Sequence, residues 1–179
     1  MKKIALVIAL CVGAWYFFIG GRKLDEAMVR EYYEKEAHAI LSRDPELLCK
    51  QLSSKAVIQD HTVMMGQAQD ATLNRDQACD ATRETFKLFE NVGSKMGGML
   101  TIEYDFHLDS VQVATDRKSA KVEGTSTLKM GETVMQFRSS FTQELVRELG
   151  QMRLLRSDQR SVVRMGGAGA MTQSDFFRK

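Results

Sequence analysis

The hydrophobic period of this chain changes once, near Gly97-Gly98, and the change divides what it can fold into. Before that point apolar residues recur every three or four positions; after it they recur every two. Leu100, Ile102, Tyr104, Phe106 and Leu108 alternate with Thr101, Glu103, Asp105, His107 and Asp109, which predicts a half-buried strand. The phase slips at Ser110, because Val111 and Val113 become the apolar positions, and a β-bulge is expected there. Turns at Asp116-Arg117-Lys118, Gly131-Glu132 and Gly150-Gln151 then separate four long strands in an antiparallel meander.

The N-terminal half reads as three helices and one strand. Val29, Tyr33, Ala37, Ile40 and Leu41 trace one stripe of a first helix starting at Leu24. Asp44-Pro45-Glu46 supplies a cap, a first-turn proline and an acid at the positive end of a short second helix, PELLCKQL. Residues 56–65, AVIQDHTVMM, are rich in β-branched residues and predict a strand. Asn74 with Gln77 forms a capping box for a third helix, whose inward stripe is Ala78, Thr82, Phe86, Phe89, Val92 and Met96. The reading is an α+β domain over residues 22–165, behind a membrane segment at 1–21 and ahead of a flexible tail at 166–179.

Residues 4–20 form an uncharged run of 17, near the lower limit for a bilayer-spanning helix. Trp15, Tyr16, Phe17 and Phe18 crowd its far end, where rings favour the interface. Lys2 and Lys3 favour a cytoplasmic N-terminus, while Arg22 and Lys23 oppose it, so the orientation rests on resemblance to a bacterial signal anchor. Two alternatives remain at this point: cleavage after Val12-Gly13-Ala14, and a lipobox-like Ile8-Ala9-Leu10-Cys11 with Leu10 where a small residue belongs. All three place the domain outside the cytoplasm, with a single-pass inner-membrane protein and a periplasmic domain as the expected layout. The net charge is +2, and without Lys2 and Lys3 the basic count falls to the 23 acidic residues. Bulk charge therefore gives no footprint for nucleic acid.

Three segments carry a resemblance: AILSRDPELLCKQLSSKAVIQD, DSVQVATDRKSAKVEGTSTLKM and ELVRELGQMRLLRSDQRSV. They resemble, in order and pattern, the nuclear transport factor 2-like superfamily, also called cystatin-like. That resemblance implies a cone: three helices packed on a bent antiparallel sheet. Met152 stands where the closing hairpin of the family commonly has Trp. The family's helices come close together, which implies a bridge between Cys49 and Cys79, worth roughly 3 kcal/mol across 30 residues of chain. It also implies an open sheet face that pairs two copies. The anchored layout is similar to that of bitopic scaffold components of type IV secretion machines.

Some members of the family are enzymes that place Tyr and Asp inside the cone. Here Tyr33, Asp60, His61, Asp105 and His107 are the residues able to serve such a pocket, but no flanking motif matches, so no catalytic role is carried over. Asp105, His107 and Asp109 alternate as any half-solvated strand does, and no metal or cofactor is assigned. The positions expected to point inward carry Met, Leu, Ile, Phe and Val. Met64, Met65, Met96, Met99, Met130, Met135 and Met152 are expected mostly inward. The functional expectation is a membrane-anchored, non-enzymatic binding or assembly module of the envelope with an envelope protein as partner. A small-molecule isomerase or dehydratase and a secreted carrier of apolar ligands are the alternatives. A buried acid beside Tyr33 with a strongly raised pKa would favour the enzyme.

Overall fold

The computed structural model describes residues 7, 8, 10–13, 23–95, 101–131, 135–148 and 150–165. Besides helical residues at 7, 8 and 10–13, three helices, α1 (Glu26–Leu41), α2 (Pro45–Lys50) and α3 (Arg75–Lys95), accompany six strands. The strands are β1 (Leu52–Met64), β2 (Gln67–Asn74), β3 (Ile102–Val113), β4 (Ser119–Met130), β5 (Met135–Glu148) and β6 (Gln151–Met165). They form one sheet in the order β2-β1-β6-β5-β4-β3.

Local signals set the helix ends. Asp25 accepts from the Met28 N–H and Asp44 from the Leu47 N–H, each satisfying a first-turn amide. Asn74 and Gln77 exchange side-chain to backbone bonds of 3.0 Å, the reciprocal capping box. The bulge expected at Ser110 is present as a register shift between Leu108 and Ser110. A second shift, between Glu144 and Leu145, bends the sheet again.

Four features differ from the sequence reading. The sheet is mixed, because β1 runs parallel to β6 while every other pair is antiparallel. Strand β2 was not expected: its residues are exposed except Leu73, so it carries no alternation to detect. The α1 stripe is also rotated. Val29, Tyr32, Tyr33 and Ala39 are buried, whereas Leu41 is half exposed. Met65 lies in the β1–β2 turn and is exposed, while Met130 is buried and Met135 and Met152 pack against the core.

The concave face holds two apolar clusters. In one, Leu24, Val29, Tyr32 and Tyr33 meet Ala120, Val122, Phe141, Leu145 and Leu154. In the other, Phe86 and Phe89 of α3 meet Met130, with Ile102, Leu128, Met135 and Phe137 around them. Cys49 and Cys79 are bridged, with Cα atoms 5.4 Å apart, which ties α2 to α3. The apolar run 4–20 lies mostly outside the described residues, as do Met96–Met99 and the tail 166–179. Among the described residues no helix is long and apolar enough to cross a membrane.

Candidate functional site

Between the two clusters the concave face is polar. The register aligns Thr62 with Ser161, Ser161 with Ser139, and Ser139 with Ser126, so one row of four hydroxyls crosses β1, β6, β5 and β4. Ser139 and Ser161 bond each other at 2.9 Å, and the Gln159 amide donates to both, at 3.3 and 3.0 Å. The neighbouring row brings Asp60 beside Gln159, with the Thr62 hydroxyl donating to its carboxylate at 3.1 Å. On the other side of Gln159, Gln143 donates to Ser157 at 3.4 Å. Gln143 also accepts from the buried Tyr33 hydroxyl at 2.7 Å.

Phe141 and Leu145 face the core on β5, and a period of two then turns Ser139 and Gln143 inward as well. This corrects the expectation of purely apolar inward positions. Sequence alone singles out none of Thr62, Ser126, Ser139 and Ser161. Ser126, Ser139, Thr62, Asp60, Gln159 and Tyr104 face inward yet keep partial solvent contact, so the concavity is open at this level.

The walls of the band are aromatic. Tyr33 stacks on Phe106 and Phe141, with centroids 5.8 and 5.6 Å away, and Tyr104 lies beside Phe106 and is hydrogen-bonded to Ser126. Glu36, one turn after Tyr32 and Tyr33 on α1, joins them. Burial pushes its carboxyl from 4.5 up to about 7. Burial, and then the Glu36 charge, also hold the Tyr32, Tyr33 and Tyr104 phenols above their ordinary value. A carboxyl that changes charge near neutral pH among neutral phenols can donate a hydrogen bond as the acid or accept one as the anion. Sequence alone does not single out Glu36, because it lies off the apolar stripe Val29, Tyr33, Ala37, Ile40 and Leu41.

Of the residues singled out from sequence, Tyr33 is in the core and Asp60 is on the inner face. They stand in different rows, with Gln143 and Gln159 between them. His61 points to the outer face, where its Nδ1 lies 2.7 Å from Asp70 and its Nε2 4.0 Å from Asp158. Asp105 and His107 are exposed on β3, with His107 3.6 Å from Asp109. These five residues do not converge. Among the described residues no group of three or more His, Cys, Asp or Glu side chains could hold a metal ion. The outer face carries its own groove of about 800 Å³, with Val57 and Val113 among its lining and Lys121, Glu144, Arg156 and Asp158 at its charged positions.

The sequence matches no protein-family model and no curated protein. Solved structures do match in shape. A conserved protein from Planctomyces limnophilus is 14% identical, with a TM-score of 0.56 over 79% of this chain and 97% of that one. An NTF2-like protein of unknown function from Pseudomonas putida is 15% identical, with a TM-score of 0.53 over 83% of this chain and 89% of that one. A protein from Novosphingobium aromaticivorans, provisionally assigned as a scytalone dehydratase, is 10% identical, with a TM-score of 0.56 over 82% and 90%. At such identities the likeness speaks for shape and leaves function to the site. The chain has the α+β cone of NTF2-like and cystatin-like proteins, built on a six-stranded sheet.

Proposed function

We propose that this chain is an extracytoplasmic binding domain, held at the inner membrane by residues 4–20, that takes a small molecule into the polar band of its cone. The observation that supports it most is the hydroxyl row Thr62–Ser161–Ser139–Ser126, inward-facing, partly open and flanked by aromatic rings. Polar groups in a concavity whose ends are apolar cost stability unless hydrogen-bonded, and a core that served packing alone would be more stable with alkyl groups there. The ligand class that fits has a ring to lie against the partly exposed Tyr104 and Phe106, and hydroxyl or carbonyl groups for the row. Assembly with an envelope protein or a second copy would use the outer groove instead.

The test uses the full chain in detergent, screened by thermal shift against hydroxylated cyclic compounds. Replacing Ser139 and Ser161 together by Val should weaken any hit at least tenfold, while the melting temperature of the free protein stays the same or rises. A hit bound equally well by the double variant, or a panel that never shifts the wild type, refutes the reading.

Glu36 gives specific support to a second reading, a proton-transfer enzyme of isomerase or dehydratase type. A carboxyl poised near 7 suits general acid or base work at neutral pH. One experiment separates the two. In the enzyme, Glu36→Gln stops turnover of the bound compound and leaves its affinity within a few fold.

A further inference from the structure

The first described residues after the apolar run are fastened to the domain. The Leu24 N–H donates to the Arg117 carbonyl at 2.8 Å, and Arg117 Nε donates back to the Leu24 carbonyl at 3.0 Å. Arg147 donates to the Lys23 carbonyl, and the Leu24 side chain is fully buried. Arg117 makes its contacts with φ at 53°, in the left-handed region that a non-glycine residue occupies only when its surroundings hold it there. A free linker would show none of this.

The chain length then fixes a distance. The apolar run ends at Gly20, and Leu24 is four residues later. Four residues span at most about 14 Å fully extended. The headgroup layer on each side of the hydrocarbon core is itself roughly 5 to 8 Å thick. A domain clamped at Leu24 therefore stands against the headgroups, with no room to swing free.

Register says which end faces down. Ser119 aligns with Val146, and Val146 with Arg153, so the β3–β4 and β5–β6 turns share the end that holds Leu24. β1 ends at Met64 opposite Val163, which puts Met65 and the β1–β2 turn at the other end. Twelve residues of β4 separate the two ends, up to about 40 Å along the strand.

The geometry points to the β3–β4 turn, Thr115–Lys118, as a surface seated on the phospholipid headgroups, with the Met65 end held away from the membrane. This rests on residues 4–20 being the anchor. Charge is not the adhesive. Lys23, Arg117, Lys118 and Arg147 stand among Asp25, Glu26 and Asp116, so the face is mixed and the short clamped connection does the seating.

The test is quenching depth. The full chain, with Cys11→Ser, is labelled with a fluorophore at Lys118→Cys or at Met65→Cys. It is then reconstituted in phosphatidylcholine–phosphatidylglycerol vesicles carrying a headgroup quencher. Quenching at position 118 should exceed that at 65 by severalfold and be unchanged in 1 M salt. Ten Gly/Ser residues inserted between Gly21 and Arg22 add a reach of about 16 to 19 Å and should bring the two positions together. Equal quenching at 118 and 65 in protein that stays with the vesicles overturns the seating and leaves the anchor standing. Protein that does not float with the vesicles overturns the anchor, and the seating with it.

Discussion

Glu36 offers a perturbation whose sign and size follow from its surroundings. Burial raises its carboxyl from 4.5 to about 7, so between those values the folded protein holds a proton that the unfolded chain has released. Stability from this group is complete below about pH 4.5 and falls as pH rises, levelling off above about 7. One pKa unit corresponds to about 1.4 kcal/mol, which sets an upper limit of about 3 kcal/mol. The side chain keeps some contact with solvent, and screening brings the expected loss to between about 1 and 3 kcal/mol.

Glu36→Gln keeps the shape and cannot ionise. The variant and the wild type should therefore be equally stable at pH 4, with the variant ahead at pH 8. For a chain of this length the gap amounts to about 2 to 12 °C in melting temperature. Thermal unfolding followed by circular dichroism from pH 4 to 8 reads it directly, and all other carboxyls cancel in the difference. Glu34→Gln, on the exposed side of the same helix, serves as the control for loss of a charge. A gap that does not change with pH, or a Gln variant less stable than wild type at pH 8, would refute the reasoning. The second result would mean that the anion is stabilised in the fold.

Two further outcomes test the frame around the site. A Cβ added at Gly124 would lie 2.5 Å from the His107 carbonyl oxygen and 2.7 Å from the Phe141 ring, and backbone cannot step aside. Gly124→Ala should cost about 1 to 3 kcal/mol in urea unfolding, and a loss under about 0.5 kcal/mol would show that β3 yields at its bulge. Denatured without reductant, the full chain should label at one thiol, Cys11, and Cys49→Ala with Cys79→Ala should lose about 3 kcal/mol. Labelling of three thiols would exclude the bridge.

What was legible in the sequence was local. The Asp44 cap, the Asn74–Gln77 box and the bulge at Ser110 each depend on residues within a few positions of one another, and each is present. The meander of β3 to β6 followed from alternation and from the turn residues at 116–118, 131–132 and 150–151. What escaped depends on pairing across the chain. β1 lies parallel to β6 about a hundred residues away, and β2 gains its strand conformation from β1 alone, with one partly buried side chain of its own. The candidate site escaped for a different reason. Alternation says that two faces exist and says less about which polar residues join the apolar ones. Ser139 and Gln143 sit in phase with Phe141 and Leu145, so the inward row was written in β5, but small polar residues carry no hydrophobic signal.

The position of the polar row explains how the fold tolerates it. Hydroxyls on the concave face would weaken a domain that relied on one continuous core. Here apolar packing is split into two clusters, one under α1 and one under α3, and the row falls between them. The bridge from α2 to α3 and the Leu24–Arg117 clamp both brace the end at which β1 begins beside Leu154. With apolar packing on either side, the middle can stay open and polar at a cost limited by its own bonds. Ser139, Ser161 and Gln159 satisfy one another, and Tyr33 with Gln143 satisfies the deeper layer. The same division predicts where substitutions differ in kind. Alkyl groups at Ser139 and Ser161 should leave stability level or higher and remove binding. Truncating Phe86 or Leu145, each buried in one cluster, should cost about 2 to 5 kcal/mol. If instead the serine changes proved as destabilising as the core truncations, the row would be a structural network, and the case for a ligand inside the cone would fall.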